Sequence, residues 1–156
     1  MTSIEQRDAQ SVLDGIDELL PKLRQRAQET EDLRRLPDAT VSELQEIGFF
    51  RLLQPKQWDG LECDPTLFYE AARRLASACG STGWVGSIVG VHNWHLALFD
   101  QKAQEEVWGE DSNVRVSSSY APMARARWST AGIWSTARGT GRRDATTPPG
   151  RSLAAR

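Results

Sequence analysis

The chain has 156 residues, 26% of them charged, with a formal net charge of −2 at pH 7. That length suffices for one domain with a real core. The longest apolar stretch, residues 83–99, contains His92, Asn93 and His95 and is too polar for a membrane span. The charge is unevenly spread. Residues 124–156 hold seven Arg and one acid, Asp144, a net of +6, which leaves −8 on residues 1–123. Cys63 and Cys79 form no CxxC and have no partners at metal-ligand spacing. With no signal-like leader, they read as reduced thiols of a cytoplasmic protein rather than as a disulfide or a nucleophile.

In chain order, Thr2 and Glu5 are spaced as a capping box. Behind them Leu13, Ile16, Leu19, Leu20, Leu23 and Ala27 recur at helical spacing. The pattern predicts one long amphipathic helix to about Thr30, kinked at Pro21. A second helix is expected from about Asp38 to Glu46, stopped by Gly48. Phe49, Phe50, Leu52 and Leu53 form an apolar plug, and residues 58–64 (WDGLECD) a turn-rich loop. Asp64 as N-cap, Pro65 in the first turn and Gly80 after the end punctuate a third helix. Leu67, Phe68, Ala71, Ala72 and Leu75 would be its buried face. Ser81 would cap a fourth helix reaching Leu98, rich in Gly, Ala and Ser and apolar on most sides, hence closely approached by another backbone or a flat ligand. Asp100 and Gly109 bracket a short fifth helix. RVSSSYA, residues 115–121, reads as the first strand of a new layer.

The densest chemistry lies in GSTGWVGSIVGVHNWH, residues 80–95. Three readings compete. His92 and His95, at i and i+3, could ligate a metal, but no third ligand is near in sequence. Both histidines could pack in the core, each bonded to backbone. Or the segment is a ligand wall, with Gly83 and Gly86 allowing close approach and Trp84 offering a flat stacking surface. SSSY, residues 117–120, adds hydroxyls and amides at a strand end. No GxSxG, phosphate-binding loop or dinucleotide fingerprint is present, so hydrolase and nucleotide-triphosphatase readings have no motif behind them.

Residues 32–65, 73–111 and 115–123 together resemble the N-terminal part of flavin-dependent aromatic monooxygenases of the acyl-CoA dehydrogenase fold, nearest to the oxygenase components that hydroxylate a phenolic secosteroid in steroid and cholesterol breakdown. The resemblance implies a mainly α chain, with an N-terminal helical domain over 1–111 and the first strand of a middle β-barrel domain over 112–123. It implies reduced FMN, or FAD in its place, supplied by a separate flavin reductase, with O2 as co-substrate. It further implies a homotetramer, ortho hydroxylation of the phenol to a catechol, and neither nucleic-acid nor membrane partners. Trp84 matches the flavin-contacting tryptophan of the STGW motif. Ser118, Ser119 and Tyr120 match the flavin-contacting strand end, and His92 falls on the substrate wall. No catalytic residue is assigned, because the later β segment and the C-terminal bundle are missing, and no metal is expected. The chain alone would be inactive. An FAD-dependent acyl-CoA dehydrogenase of the same fold, and a non-enzymatic helical module with a basic arm, are the competing readings.

After Met123 the resemblance stops. Residues 124–156 mix Arg, Ala, Thr, Gly, Pro and Ser with almost no Leu or Val. A GC-rich encoding of Trp128 to Gly150, read one base earlier, gives VVDGGYLVNGTWNWASGCDHASW, which resembles the hairpin expected of the family at this place. The tail is therefore expected to be out-of-frame sequence without structure, produced by one lost base after the Met123 codon, rather than an evolved nucleic-acid arm.

Overall fold

The computed structural model describes residues 9–117 with their side chains, and residues 125–129 and 132–136 as backbone. These fall into two units, divided between Ser117 and Ser118. The first unit is helical. Helix α1 spans Ala9–Gln25, α2 Ala27–Leu33, α3 Asp38–Glu46, α4 Pro65–Ala78, α5 Gly80–Ala97 and α6 Gln101–Trp108. The capping pair Thr2 and Glu5 lies outside the described residues.

Helix α1 turns Val12, Leu13, Ile16, Leu19 and Leu23 inward. It packs on α4, which in turn packs on α5. The single long helix expected to Thr30 is instead two. Pro21 sits within α1 on its exposed side, and the break falls at Arg26, whose ψ of 0° leaves the helical range. Arg26 still donates its N–H to the Lys22 carbonyl and accepts from Thr30, so the chain bends without losing its ladder. Its guanidinium is drawn to Glu43 on α3, 2.5 Å away. A tertiary ion pair, not the proline, marks the boundary.

Helix α3 ends as the sequence requires. Gly48 takes φ 85°, a left-handed conformation that costs glycine little. Phe49, Phe50, Leu52 and Leu53 then bury in one short turn. Phe49 lies tilted against Phe68 of α4, with ring centroids 5.7 Å apart, at the centre of the core. Residues 55–63 loop out and return: Leu61 N–H donates to Arg51 O, and Cys63 N–H to Leu52 O. At the α4 N-terminus, Asp64 Oδ1 accepts from Thr66 N at 2.8 Å, with Pro65 at the first helical position.

Ser81 does not cap α5. The helix begins two residues earlier than that cap would set, from an extended Cys79, and the Ser81 hydroxyl donates to Glu31 of α2. From Arg115 to Ser117 the chain is not in a strand, and the remainder of the strand expected over 115–121 lies outside the described residues.

In the second unit, Arg125–Ser129 and Gly132–Thr136 pair as an antiparallel hairpin, Trp128 opposite Ile133. Both strands fall within the segment that the sequence leads one to expect without structure. Their sequence contains Trp, Ile and Thr, which suit a pleated pair.

Candidate functional site

Helix α5 is inverted relative to an ordinary amphipathic helix. Its inward side is lined by small and polar residues: Thr82, Gly83, Gly86, Gly90, His92 and Asn93. Its outward side carries large apolar ones, with Trp84 53% and Trp94 44% exposed, and Leu98, just past its end, is 68% exposed. The cause is close packing. A Cβ on Gly83 would lie 2.5 Å from Ala76 of α4, and one on Gly90 would lie 2.7 Å from the Phe68 ring. Gly86 meets Phe49 in the same way, at 3.3 Å. The glycines thus admit a neighbouring helix and two phenyl rings. Of the two partners expected for this helix, a backbone is the one found at Gly83.

Trp84 stands on the opposite side, its indole half exposed, on a turn fixed by the Ser87 hydroxyl donating to the Trp84 carbonyl at 2.8 Å. Its flat face is the described feature that fits a stacked aromatic ring system. His92 is 4% exposed. Its Nδ1–H donates to the Ile88 carbonyl one turn back, which places the proton on Nδ1. The ring meets His95 edge-on at 5.5 Å, and His95 lies beside Trp94 at 5.3 Å. Among the described residues no three His, Cys, Asp or Glu side chains converge to hold a metal ion. Ser118, Ser119 and Tyr120 lie outside the described residues.

Sequence reasoning missed a buried amide cluster at the C-terminal half of α5. Asn93 Nδ2 donates to Phe50 O at 2.6 Å and to Gln54 Oε1 at 3.3 Å. Gln104 of α6 accepts from Trp58 Nε1 at 3.0 Å and donates to Phe99 O at 2.9 Å. An asparagine amid an apolar helix was the one signal available, since a buried amide must be hydrogen-bonded. Arg115 lies with its guanidinium 5.3 Å from the Phe50 ring centroid and donates to Gln45, and burial pulls its pKa down. Burial pushes the Cys63 thiol up.

Residues 8–111 match the family model described as acyl-CoA dehydrogenase, N-terminal domain. The chain is 77% identical over 123 residues to the oxygenase subunit HsaA of a flavin-dependent monooxygenase from Mycobacterium tuberculosis, an overlap of 79% of this chain and 31% of that one. It superposes on the crystal structure of the M. tuberculosis HsaA monooxygenase with a TM-score of 0.79 and 70% identity, covering 83% of this chain and 34% of that one. XiaF from Streptomyces sp., in complex with FADH2 and glycerol, gives a TM-score of 0.76 at 29% identity, covering 83% of this chain and 33% of that one. The chain spans about a third of the length of the curated relatives it matches. Among the described residues no helix is long and apolar enough to cross a membrane. With its helical unit matched almost end to end, the chain belongs to the acyl-CoA dehydrogenase family, whose N-terminal domain residues 8–111 form.

Proposed function

We propose that this chain is the N-terminal part of the oxygenase component of a two-component, reduced-flavin-dependent monooxygenase, a cytoplasmic enzyme that hydroxylates a phenolic secosteroid ortho to its hydroxyl during steroid breakdown. The carrying observation is the 77% identity over 123 residues to a flavin-dependent oxygenase subunit. That level of identity favours a hydroxylase over an acyl-CoA dehydrogenase of the same fold. The FADH2 bound by XiaF supports a reduced flavin as the cofactor class. We assign FMN, with FAD as its competitor.

On this reading Trp84 supplies one stacking wall for the flavin ring, and its exposed indole fits that task. Ser118, Ser119 and Tyr120 supply hydroxyls and amides to the flavin. His92 backs the substrate wall, held in one tautomer by Ile88 O. The flavin, when bound, supplies the activation of O2. The protein's part is to orient flavin and phenol and to keep water away. Trp84, Trp94, Leu98 and Phe99 present an apolar surface suited to that exclusion. A flavin reductase and three further copies complete the system.

The chain alone is inactive on this account, because one wall does not make a closed pocket. The tail beyond Met123 then derives from a lost base. The test restores one base after the Met123 codon, purifies the product, and supplies reduced FMN through a reductase with the phenolic secosteroid and labelled O2. A catechol carrying one labelled oxygen is the expected product. Flavin oxidation without hydroxylation of any phenol would overturn the proposal.

A further inference from the structure

Residues 111–115 carry the chain out of the helical unit, and side chains from a distant loop hold them. Gln54 is 1% exposed. Its Nε2 donates both hydrogens to carbonyls of separate segments, Trp58 O at 2.7 Å and Ser112 O at 2.8 Å. Its Oε1 accepts from Asn93 of α5. One amide therefore bonds at once to the 55–63 loop, to the exit segment and to α5. Arg51 braces the same segment from outside, donating to Asn113 Oδ1 at 2.7 Å and to Asp59 O at 2.7 Å. The Ser112 hydroxyl reaches Asp59 Oδ2 at 2.9 Å, and Trp108 Nε1 donates to Val114 O at 3.1 Å. Arg115 finishes the segment against Phe50 and Gln45.

We propose that Gln54 is a positioning residue: through Ser112 and Asn93 it pins the exit segment to helix α5, with Arg51 as its outer brace, so that the chain leaves the helical unit by one path. The chemistry requires an amide at this place. A carboxylate is acceptor-only when ionised and would face two carbonyls it cannot bond. An apolar side chain would strand both carbonyls in a buried site. The proposal stands apart from the flavin reading and survives its failure.

The test is limited trypsin digestion of the intact chain, followed by mass spectrometry. Arg115 must leave Phe50 and Gln45 before its bond to Val116 can be cut, whereas Arg35 is exposed near the start of α3. In the wild type, cutting after Arg115 is expected to be slower than after Arg35. Gln54→Glu should raise the Arg115 rate at least tenfold relative to the Arg35 rate. Equal rates at the two sites in the wild type, or an unchanged ratio in Gln54→Glu, would overturn the proposal. Should Gln54→Glu unfold the unit and accelerate every site, Asn113→Ala decides. It removes the shorter of the two bonds that Arg51 makes to the exit segment, the one to Asn113 rather than the 3.3 Å one to Ser112 Oγ, at an exposed position, and it should speed Arg115 cleavage several-fold at an unchanged melting midpoint. No change there would equally count against the proposal.

Discussion

Gly83 of α5 lies so close to Ala76 of α4 that a Cβ at position 83 would sit 2.5 Å from both the Ala76 Cα and Cβ. The obstacle is backbone, which cannot swing aside as a side-chain tip can. Gly83→Ala should therefore destabilise the unit by about 1–3 kcal/mol, despite alanine's better helix propensity. Gly80 has nothing within 4 Å of its would-be Cβ, so Gly80→Ala should be neutral or stabilising by up to about 1 kcal/mol. Urea midpoints of the two variants check the contrast. Equal effects would mean that α4 and α5 are not in backbone contact.

The Arg26–Glu43 pair gives a pH dependence of known sign. The hydrogen bond from Arg26 holds the Glu43 carboxyl below its ordinary range, with burial opposing and Lys22 assisting. A carboxyl depressed in the folded state contributes stability that is present above its unfolded pKa and lost as pH falls through the folded one. Stability should thus fall below about pH 4.5, near the unfolded value for a glutamate. Glu43→Gln should flatten that part of the profile. Melting midpoints between pH 3 and 6 provide the comparison.

Cys63 is half-buried and Cys79 buried, and both are free thiols. Burial raises the Cys63 pKa, which reduces the reactive thiolate at neutral pH. Both thiols should react with an aromatic disulfide reagent at least tenfold more slowly in the folded chain than in urea. Rapid reaction of Cys63 in the folded chain would show that the 55–63 loop opens readily.

Trp84 is exposed enough that Trp84→Ala should shift stability by no more than about 0.5 kcal/mol. The same change in the frame-restored protein should weaken flavin binding at least tenfold, as a lost stacking wall would. The unrestored chain should bind reduced or oxidised flavin only weakly, and micromolar quenching of flavin fluorescence by it would contradict the account. Calorimetric melting and fluorescence titration separate the two effects.

Much of the helical unit was legible because its boundaries are set locally. Asp64, Pro65 and Gly48 act on their own turns, and the helices they delimit fall where the spacing places them. The break at Arg26 was not legible, since it coincides with a pairing to Glu43, far along the chain. Nor was the inversion of α5. Small residues score as neutral in an apolar pattern, so the glycine side left a neighbouring backbone and a ligand as equal alternatives, and Ala76, Phe49 and Phe68 fill it. The Gln54–Asn93 bond joins segments that only tertiary packing brings together. Trp84 was legible as one possible flat surface, but its position in the helical period does not distinguish core from ligand wall, and the resemblance supplied the match to a flavin-contacting tryptophan.

The most direct measurement is the nucleotide sequence of the gene across codons 115 to 156. The account predicts that the bases encoding Trp128 to Gly150, read one position earlier, spell a β-hairpin segment close to VVDGGYLVNGTWNWASGCDHASW. They should then continue as an open frame through the remaining two thirds of an oxygenase. A stop codon in that frame within the tail, or third bases that break the hairpin sequence, would contradict the claim that the helical unit is the start of an interrupted monooxygenase.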